Sequence, residues 1–185
     1  VDGSQYAALF AQALEVSLDN EFLPFLYPNQ YINFSPDSQA SKLALSMLPE
    51  DATDQEGIDA VYNYVIQNIS YDEDKAASVE TGYLPDVDET LSSKKGICFD
   101  YAALMTAMLR SRDIPCKLQI GYAGDIKHAW IDVYIRGKGW VDHAITYDGE
   151  QWKRMDPTFA ANSEDEELIN TYIGDSENYT LQFTR

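Results

Sequence analysis

Three residues, Cys98, His128 and Asp156, have the types and the order along the chain that nucleophilic catalysis on an amide requires. Cys98 lies at the predicted start of a helix, where the helix dipole and the free backbone N–H groups stabilise a thiolate. His128 opens a β-rich segment, and Asp156 ends another one directly before Pro157. In such a trio the thiolate attacks a carbonyl carbon, the imidazole transfers the proton and the carboxylate orients the imidazole. The residues therefore predict thioester formation from an amide.

Each of these assignments has an alternative within the same sequence. His143 is a second candidate base, although it lies beside a predicted turn. Asp132 and Asp142 are further candidate acids. Asp132 is four residues from His128 on the same predicted strand, about 13 Å away at roughly 3.3 Å per residue, which is too far for an orienting hydrogen bond. Asp142 remains open, and Cys98 could also be an ordinary buried apolar residue of its helix.

The elements that must position these residues follow from hydrophobic spacing. A capping-box pattern, Thr53-x-x-Glu56, opens a predicted helix over residues 54–69, and a second helix begins near Ile97 and ends before Pro115. The apolar period then changes from 3.6 to 2, which predicts an antiparallel meander. Its predicted strands are Cys116 to Tyr122, His128 to Ile135, Trp140 to Asp142, Ile145 to Tyr147 and Gln151 to Asp156. The fold class is therefore α+β, with N-terminal helices packed on an antiparallel sheet.

The 185 residues are enough for one domain with a sizeable core. Residues 1–50 are expected to form a flanking segment packed on the core, beginning with an amphipathic helix from Tyr6 to Leu18, and residues 51–185 are expected to form the domain itself. The polar stretch from Tyr71 to Thr90 is predicted to be a long connection. Asn162 to Glu167 reads as the acidic start of a late element.

Composition narrows the function classes. With 13 Lys+Arg against 31 Asp+Glu, the formal charge of −18 opposes binding to nucleic acid or to anionic lipid, and no apolar run approaches the length of a membrane span. The two cysteines show no metal-ligand spacing, so we expect no metal and no other cofactor. Cys116 falls on the apolar side of its strand and is expected to be a buried free thiol. The acidic, lysine-poor composition leads us to expect an extracellular or bacterial cell-surface location, with the cytoplasm as the alternative.

Four sequence blocks in a fixed order resemble the core of the transglutaminase-like superfamily. They are Lys95-Gly96-Ile97-Cys98-Phe99-Asp100-Tyr101-Ala102-Ala103-Leu104, Gly121-Tyr122, His128-Ala129-Trp130-Ile131-Asp132-Val133-Tyr134 and Asp156-Pro157-Thr158. The resemblance covers about residues 54–160 and implies a papain-like architecture with Cys98 as nucleophile, His128 as base and Asp156 as orienting acid. One departure is an extra hairpin-like insert between Trp140 and Trp152, which keeps Asp142 as the less favoured acid.

The groups that would stabilise the oxyanion are less clearly marked. The backbone N–H of Cys98 is the expected first donor because it lies at a helix start. The resemblance implies a second donor from an upstream side chain, for which Tyr71 is the candidate; a structural tyrosine is the alternative. Trp130 shares a predicted strand face with His128 and is a candidate for the cleft wall.

The triad and the resemblance together imply a cysteine-nucleophile amide hydrolase, similar to a cysteine protease, that acts on peptides or proteins through a thioester. Within the same chemistry the alternative is a cross-linking transglutaminase, in which a lysine amine replaces water. An alternative of another class is a non-catalytic module that binds a peptide or a cell-wall peptide. The acidic run Glu164 to Glu167 reads more simply as the first turn of a helix than as a calcium loop.

Overall fold

A computed structural model describes residues 17, 19–123, 125–141, 145–147, 152–154 and 179–185 of the chain. After a short 3₁₀ turn at Leu23–Phe25, its helices are α1 (Gln39–Met47), α2 (Asp54–Asn68), α3 (Glu73–Ser78), α4 (Val87–Ser93) and α5 (Cys98–Arg110). Its strands are β1 (Ser70–Tyr71), β2 (Lys95–Gly96), β3 (Cys116–Ala123), β4 (Ile126–Ile135), β5 (Gly139–Val141), β6 (Ile145–Tyr147), β7 (Trp152–Arg154) and β8 (Tyr179–Thr184).

The two helices expected from apolar spacing, α2 and α5, are both present. At the start of α2 the Thr53 hydroxyl accepts the N–H of Glu56 at 3.3 Å, and the Glu56 carboxylate accepts the N–H of Thr53 at 2.8 Å, so the predicted capping box is formed. Helix α5 is the central helix, and all of its residues after Phe99 are buried. Its side chains contribute the largest share of the core, so its first turn is held at a fixed place relative to the sheet.

The main sheet has the strand order β5-β4-β3-β8, and each pair is antiparallel. Strands β3, β4 and β5 form the predicted meander, and Gly121 of β3 lies opposite His128 of β4. Strand β8 returns from the C-terminal end of the chain to pair with β3, an addition that the sequence pattern did not predict. Strands β6 and β7 pair with each other in a separate antiparallel sheet, as expected for the insert before residue 156.

The prediction that residues 71–90 form a long connection is wrong. This stretch contains the last residue of β1, all of α3 and the first part of α4. Both helices are short and are started by aspartate caps: the Asp72 carboxylate accepts the N–H of Lys75 at 3.0 Å, and Asp86 accepts the N–H groups of Asp88 and Glu89. Such short polar helices carry too few apolar positions to show a helical period in the sequence.

Aromatic contacts hold the segment before α1 against the sheet. The ring of Phe22 lies 4.5 Å from that of Tyr134 on β4, and Phe25 meets Trp140 of β5 edge-on at 5.3 Å. The Lys117 ammonium lies 3.7 Å from the centre of the Trp140 ring, a cation–π geometry. Residues 1–16 and 18, with the predicted N-terminal helix, lie outside the described residues.

A buried arginine joins the end of α5 to both flanks of the chain. The Arg110 guanidinium donates to the carbonyl of Cys116 at 2.7 and 3.0 Å, to that of Tyr27 at 2.6 Å and to that of Arg185 at 3.1 Å. Its position fixes the C-terminal end of the helix whose other end carries Cys98. None of the helices in the described part of the chain has the length and hydrophobicity needed to traverse a bilayer.

Candidate active site

Cys98 is the first residue of α5 and is half-buried, which confirms the predicted helix start. The carbonyl of Ile97 accepts the N–H of Tyr101 at 3.1 Å and therefore points into the helix. Because the C=O and N–H of a trans peptide point in opposite directions, the N–H of Cys98 points away from the helix, off its N-terminal end. A thiol and an outward backbone N–H are thus presented by the same residue.

Behind Cys98 lies a polar cluster, the Asp100 network, made of Asp100, Lys75 and Tyr83. The Asp100 carboxylate is fully buried. It accepts the N–H of Ile97 at 2.8 Å and the hydroxyl of Tyr83 at 2.5 Å, and it forms an ion pair of 2.7 Å with the Lys75 ammonium. Lys75 also donates to the Tyr83 hydroxyl at 2.6 Å. A buried carboxylate at the third position of α5 is therefore saturated by three donors from different parts of the chain.

Two side chains of the network, Tyr83 and Lys75, keep their protons at neutral pH. Burial, together with the neighbouring Asp100, raises the pKa of Tyr83 to about 12, so its hydroxyl stays neutral and donates. Burial by itself would favour neutral Lys75, but hydrogen bonds to Asp100 and Tyr83 outweigh it and raise the pKa of the Lys75 ammonium. The lysine therefore stays charged beside the carboxylate.

Tyr71, the candidate second oxyanion donor, is placed next to the segment that leads into Cys98. Strand β1 pairs in parallel with β2, so that Tyr71 lies opposite Gly96. The N–H of Asp72 donates to the carbonyl of Gly96 at 3.0 Å and the N–H of Ser70 donates to that of Lys94 at 2.9 Å. The side chain of Tyr71 is half-buried against the core.

His128 and Trp130 both belong to β4, as predicted, and both are buried, with exposed fractions of 6% and 3%. The alternating residues Ala129, Ile131, Val133 and Ile135 pack into the core with α5. The side chains of His128, Trp130 and Asp132, which alternate with these residues along the strand, are buried as well. Both faces of β4 are therefore covered, as in a strand at the centre of a domain.

Asp132, one of the alternative acids, has a partner away from His128. Its carboxylate accepts a hydrogen bond from the amide of Gln119 on β3, and Gln119 in turn accepts the hydroxyl of Thr184 on β8 at 2.6 Å. These contacts form a chain across three strands of the sheet.

Three residues of the sequence hypothesis, Asp156, Asp142 and His143, lie outside the described residues, so their roles stay predictions. Cys116 is a fully buried free thiol that lies 3.5 Å from the Thr106 hydroxyl, and burial raises its pKa to about 12. This confirms the expectation for Cys116. Within the described ranges, no three His, Cys, Asp or Glu side chains are grouped in a way that could hold a metal ion.

Comparisons with known proteins agree with this architecture. The sequence profile of the Transglutaminase-like superfamily matches residues 41–157, a range that includes Cys98, His128 and Asp156. The structure is similar to that of a candidate cysteine protease from Cytophaga hutchinsonii, with a TM-score of 0.57 and 22% identity over 91% of this chain and 48% of that one. It is also similar to the periplasmic domain of TgpA from Pseudomonas aeruginosa, with a TM-score of 0.52 and 19% identity over 78% and 50% of the two chains.

A curated relative, the UPF0252 protein MJ1282 of Methanocaldococcus jannaschii, is 37% identical over 62 residues, which are 31% of this chain and 18% of that protein. The chain thus spans about half the length of the two similar structures and less than a fifth of the curated relative. The profile covers more than half of the chain, and the helix-then-sheet order agrees with it. On this evidence the chain belongs to the transglutaminase-like superfamily.

Proposed function

We propose that the protein is a cysteine-nucleophile amide hydrolase that acts on peptides or proteins, with Cys98, His128 and Asp156 as its triad. The observation that carries the proposal is the position of Cys98 as the first residue of α5, half-buried and with its backbone N–H directed off the helix end. This is where a thiolate and a developing oxyanion are both stabilised. The burial of His128 on a strand that packs against the same core supports the choice of base.

In the proposed reaction the Cys98 thiolate attacks the amide carbon, and the negative charge moves to the carbonyl oxygen. The N–H of Cys98 and the hydroxyl of Tyr71 would stabilise that oxygen. The C–N bond then breaks as the His128 imidazolium gives its proton to the leaving amine, which leaves a thioester. Water attacks the thioester while His128 takes a proton from it, and the acid product leaves the thiolate and imidazolium as they began. Asp156 would orient the imidazole throughout.

Three further observations support peptide or protein substrates and an extracytoplasmic location. A similar structure, that of the Cytophaga hutchinsonii protein, is described as a candidate cysteine protease, and a second is a periplasmic domain. The charge of −18 disfavours polyanionic partners. We therefore propose that the substrate is a peptide or protein, with cell-wall peptide as one candidate. We also propose that the protein is located outside the cytoplasm.

The test of the nucleophile uses p-nitrophenyl acetate, which acylates an activated thiol and releases p-nitrophenolate. We expect one acetyl group on Cys98 of the native protein, detected by peptide mass spectrometry. The Cys116 thiol is buried, so Cys116→Ser should be acetylated like the natural protein. Cys98→Ser should not be acetylated. Equal acetylation in Cys98→Ser, or release of p-nitrophenolate by the natural protein no faster than by Cys98→Ser, would contradict the proposal.

The base and the acid are tested by paired variants. His128→Ala should lose turnover and His143→Ala should keep most of it. Asp156→Asn should lose on the order of 10⁴ in rate, the cost seen when the orienting carboxylate of a triad is removed, while Asp142→Asn stays active. Similar losses of activity in His128→Ala and His143→Ala would refute the assignment of His128 as the base. Similar losses in Asp156→Asn and Asp142→Asn would refute the assignment of Asp156 as the acid.

The same protein also allows hydrolysis to be compared with amine transfer. With casein as substrate and a fluorescent primary amine present, hydrolysis releases peptides or ammonia without covalent fluorescence in the protein band. A cross-linking activity would instead attach the amine to glutamine side chains. If the amine is incorporated into the protein faster than the substrate is hydrolysed, and this incorporation depends on Cys98, the assignment changes from hydrolase to transglutaminase.

A further inference from the structure

We infer that Asp100, Lys75 and Tyr83 are positioning residues that hold the peptide unit before Cys98, and so keep the Cys98 N–H directed at the oxyanion of the reaction. The inference rests on the proposed function, because it assigns these residues to the transition state that Cys98 would form. None of the three is expected to touch the substrate. They act through the backbone at the start of α5.

The peptide unit between Gly96 and Ile97 is tied at both of its polar groups. Its carbonyl accepts the N–H of Asp72 at 3.0 Å, and its N–H donates to the Asp100 carboxylate at 2.8 Å. The next peptide unit is tied as well, because the Ile97 carbonyl accepts the N–H of Tyr101. Since a peptide unit is rigid and planar, fixing these groups fixes the direction of the Cys98 N–H that follows.

The carboxylate that makes the central contact is itself fixed from two sides. Asp100 is fully buried, and a buried charge is costly unless it is paired and hydrogen-bonded. Lys75 supplies the charge at 2.7 Å and Tyr83 supplies a hydroxyl at 2.5 Å. Without either donor, the carboxylate would regain its hydrogen bonds by rotating toward water, and its bond to Ile97 would weaken.

The network also closes on itself through the backbone. Asp72, whose N–H holds the Gly96 carbonyl, caps α3 by accepting the N–H of Lys75 at 3.0 Å. Lys75 therefore reaches Asp100 from a helix that is anchored to the same peptide unit. A helix cap elsewhere in the chain is simpler: Asp86 is exposed and accepts two backbone N–H groups at the start of α4. At the start of α5, which carries Cys98, the capping carboxylate is instead buried and is held by two further side chains.

Two reagents separate positioning of the N–H from a general effect on the thiol. Iodoacetamide alkylates a thiolate by displacing iodide and forms no oxyanion, whereas p-nitrophenyl acetate reacts through a tetrahedral oxyanion. Both rates are measured at the high-pH plateau, where the Cys98 thiol is fully ionised. A change in the pKa of the thiol then has no effect on the comparison of the two rates. The variants are Tyr83→Phe, Lys75→Met and Lys75→Arg, with Tyr27→Phe and Lys42→Met as controls on exposed residues.

We expect Tyr83→Phe and Lys75→Met to lower the acylation rate about tenfold or more, since complete loss of one oxyanion donor costs about 10²–10³. Their alkylation rates should stay within about a factor of two of the natural protein, as should both rates in the controls. Lys75→Arg, which keeps the charge, should recover most of the acylation rate. Far-ultraviolet circular dichroism and the melting temperature establish that each variant is folded.

Other results would overturn the inference in distinguishable ways. Acylation unchanged in Tyr83→Phe and Lys75→Met would show that the network has no part in the transition state. Equal loss of acylation and alkylation would show that it acts on the thiol or on the fold as a whole. If the natural protein acylates no faster than Cys98→Ser, the proposed function itself fails, and that result is obtained without any variant of the Asp100 network.

Discussion

Gly96→Ala is the substitution whose effect the structure defines most sharply. A Cβ atom added at Gly96 would lie 2.6 Å from Cβ of Asp100 and 3.2 Å from Oδ2 of the same residue. Ordinary contacts between such carbon atoms begin near 3.5 Å, so one of the two residues must move by almost 1 Å. Asp100 cannot give way easily, because the atom in conflict is at the base of its side chain and the carboxylate is held by three donors.

The expected cost follows from two opposing effects. Overpacking of a buried position costs about 1–3 kcal/mol. Replacing glycine by alanine restricts the unfolded chain and returns about 0.4–1 kcal/mol. The net loss of unfolding free energy is then about 1–2 kcal/mol, and at about 2–4 °C per kcal/mol for a chain of this size the melting temperature falls by about 2–8 °C.

Gly57→Ala provides a matched control for sterics. Its added Cβ would lie 2.7 Å from Ile114, nearly the same distance, but the atom met is the terminal Cδ1 methyl of a flexible side chain. Gly57 is inside α2, where alanine favours the helix by about 1 kcal/mol over glycine. We therefore expect Gly57→Ala to be close to neutral in urea unfolding and to acylate normally. Gly96→Ala should also acylate more slowly, because the added Cβ displaces Asp100, whose carboxylate holds the N–H of Ile97. Equal destabilisation of the two variants, or normal acylation of Gly96→Ala, would refute the reasoning.

Three further predictions concern residues away from the network. Cys116, buried and with its pKa raised to about 12, should react with a thiol reagent only in urea, so rapid labelling of Cys116 in the native protein would contradict its placement. Burial opposes the ionisation of Asp54, but the hydrogen bonds and charge of Arg136 outweigh it and hold the pKa below its usual 3.8. Arg136→Ala should therefore lower the unfolding free energy by about 1 kcal/mol near pH 7, where the Asp54 carboxylate is ionised. The difference in stability between the variant and the natural protein should vanish as the pH falls through that lowered pKa, and urea midpoints measured across acid pH test this. Arg110→Met removes the guanidinium donor from three backbone carbonyls, of which only that of Arg185 is shown to keep another donor, the N–H of Leu118. It should lower the unfolding free energy by about 2–4 kcal/mol, whereas an unchanged urea midpoint would contradict the linking role of the guanidinium.

Local patterns were sufficient where a single element carries its own signal. The capping box of Thr53 and Glu56 and the apolar stripe behind it located α2, and the change of period after Pro115 located β3 and β4. The helix predicted to begin near Ile97 likewise has Cys98 as its first residue. In each case the information is contained within about fifteen neighbouring residues, which is the range over which hydrophobic spacing is read.

The Asp100 network could not be predicted in this way. Lys75 and Tyr83 are brought to Asp100 by α3 and by the loop after it, and the sequence indicated a plain connection there. The only local signal is an acid at the third position of the helix, which is common at helix starts. Strand β8 was missed for a related reason, because its pairing with β3 joins distant parts of the chain.

The two cysteines show why place in the fold decides the chemistry that residue type only permits. Cys116 lies within a strand on the core side, is fully buried and has its pKa raised to about 12, so the thiol is kept neutral. Cys98 begins a helix, is half-buried and adjoins a backbone N–H that points outward. The fold supplies this second environment with a glycine that has no room for a side chain and with a carboxylate whose charge is balanced from α3. The reactivity proposed for Cys98 is therefore a property of the helix start and of the residues that hold it, and a cysteine transplanted to another turn of α5 would not acquire it.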